Sequence, residues 1–436
     1  MRYFSLLVQV LIVLVLGVSN VGAAEITRSQ LDALVERALQ NNPDLQAAKA
    51  RWEMSGHKVV PARTLDDPLL GIGFSNYPVD SFRSDETPMT GDEVKLSQNF
   101  PYPGKLAAKG DMAAQQARWY QAAYLDARLK LTGEVKDAYY RLYYQDRAIA
   151  VTEEELEILK NFIALTKTRY EVGKGLQQDL LKAQVEQSKL LDKLLTLHQQ
   201  RTSVLAGLNQ LLARPSGAQL EPVDKPELTP PGATVSQLQQ LARESRPMFA
   251  AYEAQIDRFE SQRRLAKLDS YPNFNLWTSY RFRDDDLPDG GTDFVSAGVG
   301  LSLPIWREKR SEEVAEADSG IRMARRQLEE FGNRVDMIIA DLYAQAEKNR
   351  DLAQLFATGI IPQAQQSFDA SLAAYQVGKV EFLSLLDGLL TLYRYRLDYQ
   401  RVLTDYQRNL ARLEAAVGSS PTAALQTSEL SNPNGF

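Results

Sequence analysis

Tyr170-Glu171-Val172-Gly173-Lys174 returns, 205 residues later, as Tyr375-Gln376-Val377-Gly378-Lys379. Leu180-Leu181 and Leu385-Leu386 keep the same spacing. Upstream, Phe100-Pro101 answers Leu303-Pro304 at 203. Asn42-Pro43-Asp44-Leu45-Gln46-Ala47 answers Arg246-Pro247-Met248-Phe249-Ala250-Ala251 at 204. Each match is weak alone. Four in one order at nearly constant spacing read as a duplicated unit. The first copy spans 25–213 and the second 234–418. Between them, 214–233 holds Pro215, Pro222, Pro226, Pro230 and Pro231, a density that excludes helix and predicts an extended linker. Residues 419–436 are polar and predict a disordered tail.

Each copy predicts a helix, two strands, a very long helix, a glycine break and a further long helix. Leu106 to Tyr170 holds no proline and predicts one helix of roughly 65 residues, about 100 Å long. Arg307 to Tyr375 predicts its counterpart, with a kink at Pro362. After the breaks, the run Leu385, Leu389, Leu392, Arg396, Tyr399, Leu403, Tyr406 steps by four and three, as does Leu190, Leu194, Leu197, Arg201, Val204, Leu208. That is the narrow seam of helices packed lengthwise. Helices of this length need antiparallel neighbours, from this chain or from others.

The strand segments alternate instead. Leu70, Ile72 and Phe74 alternate with glycine and serine, and Val295, Ala297, Val299 and Leu301 do the same. Val94 and Leu96 alternate with Lys95 and Ser97, while Trp277 and Thr278 blur the segment from Phe274 to Phe282. A length of about 9–11 residues suits a tilted transmembrane strand. Two amphipathic hairpins on a soluble core would show the same pattern. Export favours the membrane: Arg2, an apolar run from Phe4 to Val18 and Val21-Gly22-Ala23-Ala24 predict a signal peptide over 1–24. Four strands cannot close a pore, and open edges in lipid are costly. Several copies must therefore share one barrel. Eight strands would be filled by side chains, whereas twelve and sixteen both leave a duct.

Composition narrows the function. The formal charge of -6 offers nucleic acid no basic face. The chain has no cysteine, which removes disulfides, thiolate metal sites, cysteine nucleophiles and an acylated lipoprotein anchor. His57 and His198 are its only histidines and stand at no ligand spacing. No phosphate cradle or nucleophile arrangement is present, so no cofactor and no enzymatic activity are expected. Asp284-Asp285-Asp286 reads as a solvated loop.

On these features the chain resembles the TolC family of outer-membrane efflux proteins. The duplicated strand–strand–long-helix unit, the paired Tyr-x-Val-Gly-Lys breaks, and Leu385-Leu386-Asp387 with Thr391-Leu392-Tyr393 carry the likeness. Gln98-Asn99-Phe100-Pro101-Tyr102-Pro103-Gly104-Lys105-Leu106 is similar to the strand-to-helix junction of its heavy-metal branch, represented by CzcC and CusC. The resemblance implies an α+β membrane protein: a homotrimer with a twelve-stranded β-barrel in the outer membrane of a Gram-negative bacterium, continuous with an α-helical barrel in the periplasm. It implies a passive exit duct for heavy-metal cations, fed by a periplasmic membrane-fusion adaptor and an inner-membrane pump of the resistance-nodulation-division type. Organic drugs or a secreted protein are the alternative cargoes. A soluble coiled-coil scaffold or adaptor is the rival class, but it lacks this whole-chain duplication.

The resemblance also assigns sites. The two glycine turns become periplasmic tips for adaptor docking: Tyr170, Gly173, Lys174, Gly175, Gln178, Asp179 and Leu180 at the first, Tyr375, Gly378, Lys379, Glu381 and Phe382 at the second. Asp387 matches one aspartate of the family's periplasmic aperture. Ser384 stands where a second is expected.

Overall fold

The computed structural model describes residues 29–419 except Asp224, Thr229, Pro231 and Pro288. The signal sequence expected over 1–24 lies outside the described residues, as does all of the expected tail but Ser419. The first half forms α1 (Gln30–Asn41), α2 (Pro43–Gly56), α3 (Val59–Arg63), β1 (Leu69–Ser75), β2 (Gly91–Phe100), α4 (Lys105–Glu171) and α5 (Gln177–Leu211). The second forms α6 (Val235–Ser245), α7 (Pro247–Leu268), β3 (Phe274–Phe282), β4 (Phe294–Leu301), α8 (Arg307–Leu355), α9 (Ile361–Gln376) and α10 (Phe382–Val417). Between them, the described residues from Leu212 to Thr234 form no helix or strand. This segment is nevertheless strapped down. Asn209 donates to the Ser216 and Ala218 carbonyls, and Gln407 to that of Glu227.

The four strands make one antiparallel sheet in the order β1-β2-β3-β4. The central pairing joins the two halves, with Phe100 opposite Phe274 and Val94 opposite Tyr280. Register sorts the side chains by period two. Leu70, Ile72, Phe74, Tyr280, Val295 and Val299 share one face and are 40–75% exposed. Glu93, Lys95, Asn99, Asn275 and Arg281 share the other. There Arg281 pairs with Glu93 at 3.3 Å, Asn275 donates to Asn99 at 2.6 Å, and the Lys95 ammonium lies 4.5 Å from the Trp277 ring centre. An apolar face opposite a hydrogen-bonded polar one suits a wall between lipid and water.

Trp277 and Thr278 fit this scheme. Trp277 lies on the polar face over Gly298, where any Cβ would come within 2.6 Å of the indole. Thr278 lies on the apolar face and satisfies its hydroxyl on the Ser296 carbonyl. β1 and β4 have 7 and 8 residues, fewer than expected. Asn76 turns the chain at φ 60 just after β1, and Pro304 has no N–H to extend β4.

Below the sheet, α4 runs 67 residues and packs against α2, α5, α7 and α10, while α8 packs against α7 and α10. The predicted seams are buried at Leu385, Leu389, Leu392, Leu403 and Tyr406, and at Leu190, Leu197 and Leu208. Two small outer helices repeat the duplication. Leu34 and Ala38 of α1 sit on Leu131, Val135 and Leu142, and Leu238 and Ala242 of α6 sit on Val335, Ile339 and Leu413. The expected break at Pro362 takes a different form. A π-helical turn, Phe356–Ile360, joins α8 to α9, and Pro362 falls in the first turn of α9. The wider turn relieves the clash and missing bond that proline imposes on an α-helix.

Sheet and helices meet at Lys105, the first residue of α4. Its buried ammonium donates to Tyr271 O at 3.0 Å and Asn273 Oδ1 at 2.8 Å, and lies 3.1 Å from Asp269 Oδ1. Tyr102 stacks on Tyr271 with ring centres 4.5 Å apart. Replacing Lys105 with methionine removes the donor from Tyr271 O and from Asp269, which is only partly exposed to compensate, while Asn273 Oδ1 keeps the Tyr102 N–H. We expect Lys105→Met to cost about 2 kcal/mol, read as a lowered Tm of the detergent-extracted protein. An unchanged Tm would leave the joint to the tyrosine stack alone.

Candidate functional site

The two glycine turns have the same hydrogen bonds. At the first, Gly173 N donates to Tyr170 O at 2.9 Å and Lys174 N to Arg169 O at 2.8 Å. At the second, Gly378 N donates to Tyr375 O at 3.0 Å and Lys379 N to Ala374 O at 2.9 Å. This is the Schellman closure of a helix C-terminus. Gly173 and Gly378 supply its left-handed residue at φ 70 and 76. A Cβ on Gly173 would meet open space, so backbone conformation and not crowding selects glycine there. Gly175 differs: a Cβ would lie 3.2 Å from Arg169 Cβ and Tyr170 N.

One cation ties the turns together. Arg169, the penultimate residue but one of α4, donates Nη1 to Tyr375 O at 2.7 Å. Its guanidinium lies 4.5 Å from the centre of the Tyr375 ring. Tyr375 faces Phe382 at 5.9 Å, and both join a cluster with Phe162, Leu159, Phe368, Leu385 and Leu389. Tyr375 and Phe382 were expected among the docking residues, yet they are 5% and 2% exposed. They anchor the second tip from inside, so neither offers a side chain to a partner in this chain. Tyr170, Lys174, Gln178, Lys379 and Glu381 are exposed, and Asp179 and Leu180 are half-buried. Asp387 and Ser384 are exposed one helical turn apart on α10.

Sequence reasoning missed Glu155 of α4, on the stem above the tips. It is 4% exposed and its Oε1 has no hydrogen-bond partner. Burial pushes its carboxyl up from 4.5 to about 8, and Arg396 only partly offsets this. Arg396 itself lies 3.7 Å from Glu154. Close by, the Thr152 hydroxyl meets Tyr393 Oη at 2.9 Å. Glu155 continues the buried row Leu159, Phe162, Thr166 at steps of four and three, a signal hidden by the run Glu153-Glu154-Glu155.

At the opposite end, Arg283 clamps the two hairpin loops together. Its side chain is 1% exposed and holds Asp289 at 2.8 Å, the Thr292 carbonyl at 3.1 Å and the Pro88 carbonyl, over the Phe294 ring. Asp284, expected as a solvated loop carboxylate, accepts from Ser84 of the other loop at 2.5 Å. Among the described residues no cluster of three His, Asp or Glu side chains is placed to hold a metal, and no helix is long and apolar enough to cross a membrane.

A sheet with one lipid-type face and one water-type face, set on helices about 100 Å long, defines a channel-forming outer-membrane protein. The chain belongs to the family described as outer membrane efflux protein, which it matches twice, over residues 34–214 and 238–419. It is thus an efflux channel of the outer membrane that extends into the periplasm, a transport protein and not an enzyme. It is 22% identical to the cobalt-zinc-cadmium resistance protein CzcC of Cupriavidus metallidurans over 391 residues, 89% of this chain and 90% of that one. It is 25% identical to the pyoverdine export outer membrane protein OpmQ of Pseudomonas aeruginosa, over 89% of this chain and 84% of that one. Among solved structures, CusC superposes with a TM-score of 0.75 at 16% identity, covering 90% of this chain and 93% of that one.

Glu155 makes stability depend on pH in a definite direction. Below 4.5 the proton is bound in both folded and unfolded chains. Between 4.5 and about 8 the unfolded chain releases it and the folded chain keeps it, so stability falls by up to about 1.4 kcal/mol per pH unit. Above 8 the loss is complete and constant. Glu155→Gln, neutral throughout, should flatten the Tm profile between pH 5 and 8. Parallel profiles for parent and variant would remove Glu155 as the cause.

Proposed function

We propose that three copies of this chain close a twelve-stranded barrel and a helical tunnel, forming the exit duct of a tripartite efflux system. The observation that carries this reading is the pair of sheet edges, β1 and β4, left unpaired among the described residues. Unpaired backbone groups in lipid cost several kcal/mol each. The helices support it too. Leu181, Val185, Leu191 and Leu195 of α5 are 47–72% exposed, and further copies would cover them. A homotrimer gives the smallest closed barrel that keeps an open duct.

The tips point to the partners. Tyr170, Lys174, Gln178, Lys379 and Glu381 present a mixed polar surface at the end of the stem, suited to the helical hairpin of a periplasmic adaptor. Gly173, Gly175 and Gly378 shape that surface, with Asp179 and Leu180 at its margin. The adaptor would link the duct to an inner-membrane pump of the resistance-nodulation-division type. Three copies of Asp387, each beside a Ser384, would form an acidic ring at the aperture, and such rings favour cations.

The cargo follows from that ring and from the likeness to CzcC, whose name records cobalt, zinc and cadmium. We assign heavy-metal cations, carried as substrate without a resident metal site. The likeness to OpmQ marks the competing class, a small organic molecule, and a secreted protein remains the third. Deleting the gene should raise sensitivity to zinc, cobalt or cadmium salts more than to organic toxicants. The reverse order would move the duct to organic cargo and leave the assembly reading untouched. In planar bilayers, Asp387→Ala should lower cation preference and raise conductance. A variant matching the parent in both would return Asp387 to an ordinary surface carboxylate.

A further inference from the structure

Where strand gives way to helix, the two halves of the chain are joined by a strand pair, a ring stack and a buried ammonium. β2 lies on β3, Tyr102 stacks on Tyr271, and Lys105 reaches Asp269, Tyr271 and Asn273. The second repeat carries the same exit, but beyond Ser302, which bonds to Asn273, its apolar side chains stay uncovered among the described residues. Leu303, Ile305 and Trp306 are 71%, 66% and 70% exposed, and Arg307, the first residue of α8, is exposed as well. The first repeat carries the same entrance, equally bare. Every residue from Arg63 to Leu70 is exposed, among them Leu65, Asp66, Asp67 and Leu69. The Arg307 guanidinium and the Asp66 and Asp67 carboxylates have no ion pair or hydrogen bond among the described residues.

We propose that these two bare flanks mate between neighbouring copies of the chain, with Leu303, two residues beyond β4, opposite Leu70 of the next copy's β1 and Arg307 on Asp66 and Asp67. This rests on the shared barrel proposed above and adds its register and its ionic latch. The register comes from the joint already formed. Pro101 follows Phe100 as Pro304 follows Leu303, and Pro272 stands two residues before Phe274 as Pro68 stands two before Leu70. Carrying the observed Phe100–Phe274 pair across gives Leu303–Leu70, then Leu301–Ile72 and Val299–Phe74. All six side chains then lie on the apolar face. A slip of one residue would turn Gly71 and Gly73 to the lipid and bury the apolar row in the lumen. A slip of two keeps the faces but moves the charges past each other by roughly 7 Å.

The charges match in kind. Lys105 uses one carboxylate and two neutral oxygens. At the bare entrance Leu69 takes the place of Asn273, removing a neutral acceptor, and two adjacent carboxylates are supplied. Opposite them the first helical residue is arginine, whose planar guanidinium can serve two carboxylates at once. Trp306, beside it, would be covered by the same contact.

The chain has no cysteine, so introduced thiols report alone. Leu303→Cys with Leu70→Cys in the full chain, treated in outer membranes with a short thiol crosslinker, should give covalent dimers and trimers on a denaturing gel. Either substitution alone should give none. The comparison pair is Leu303→Cys with Ile72→Cys. Asp66→Lys with Asp67→Lys should weaken the oligomer to heating in detergent, and adding Arg307→Asp should restore it. The outcomes separate the two readings. A detergent-extracted parent that is monomeric by light scattering ends the shared barrel. A trimeric parent in which the Ile72 pair links better than the Leu70 pair overturns the register. A trimer in which neither pair links leaves both flanks facing lipid and refutes the joint.

Discussion

Backbone N–H and C=O groups must be paired wherever water is absent. The sheet meets this demand in its middle and fails it at both ends, since β2 and β3 are flanked by partners and β1 and β4 are not. The order of the sheet is therefore more than a description of one chain. It makes completion of the barrel and assembly of the channel one event. It also sets the position of the stem, because α4 and α8 begin within a few residues of where β2 and β4 end. A fixed closure of the strands fixes where each long helix starts around the axis.

The stem solves the complementary problem. Its backbone is satisfied within each helix, so the side chains must supply cohesion over some 100 Å. They do so with narrow apolar rows and not with one central core, and the buried clusters are accordingly spread along the length. At the tips the row ends in a plug of Tyr375 and Phe382, fastened from the other turn by Arg169. Polar and glycine residues can thus occupy the outer surface without loosening the turn.

The features legible in the sequence are those written as a period or a repeat. Alternation by two found the strands, steps of four and three found the seams, and the constant spacing of near 204 found the duplication. Features that depend on which neighbour arrives from elsewhere were not legible. Tyr170 is exposed and Tyr375 buried although the five-residue turn motif that each opens is nearly the same. The difference is Arg169, which has alanine as its counterpart at position 374 and closes over one tyrosine only. Glu155 was obscured by two acidic neighbours, although its place on the Leu159–Phe162 row was available. Arg283 gave no local sign of bridging two loops, because its acceptors at Pro88 and Asp289 come from opposite hairpins.

The π-helical turn at Phe356–Ile360 bears on how the two halves have diverged. Seventy-two positions separate Pro101 from Gly173, and seventy-four separate Pro304 from Gly378. Added to a regular α-helix, each extra residue would rotate everything beyond it by about 100° and lengthen the rod by about 1.5 Å. The faces of Phe368 and Tyr375 would then swing away from α10. A locally wider turn absorbs surplus length where it arises and limits how far the rotation is passed on. The segment lies within the half that is longer by two positions. The two descendants can differ in length and still end their helices side by side.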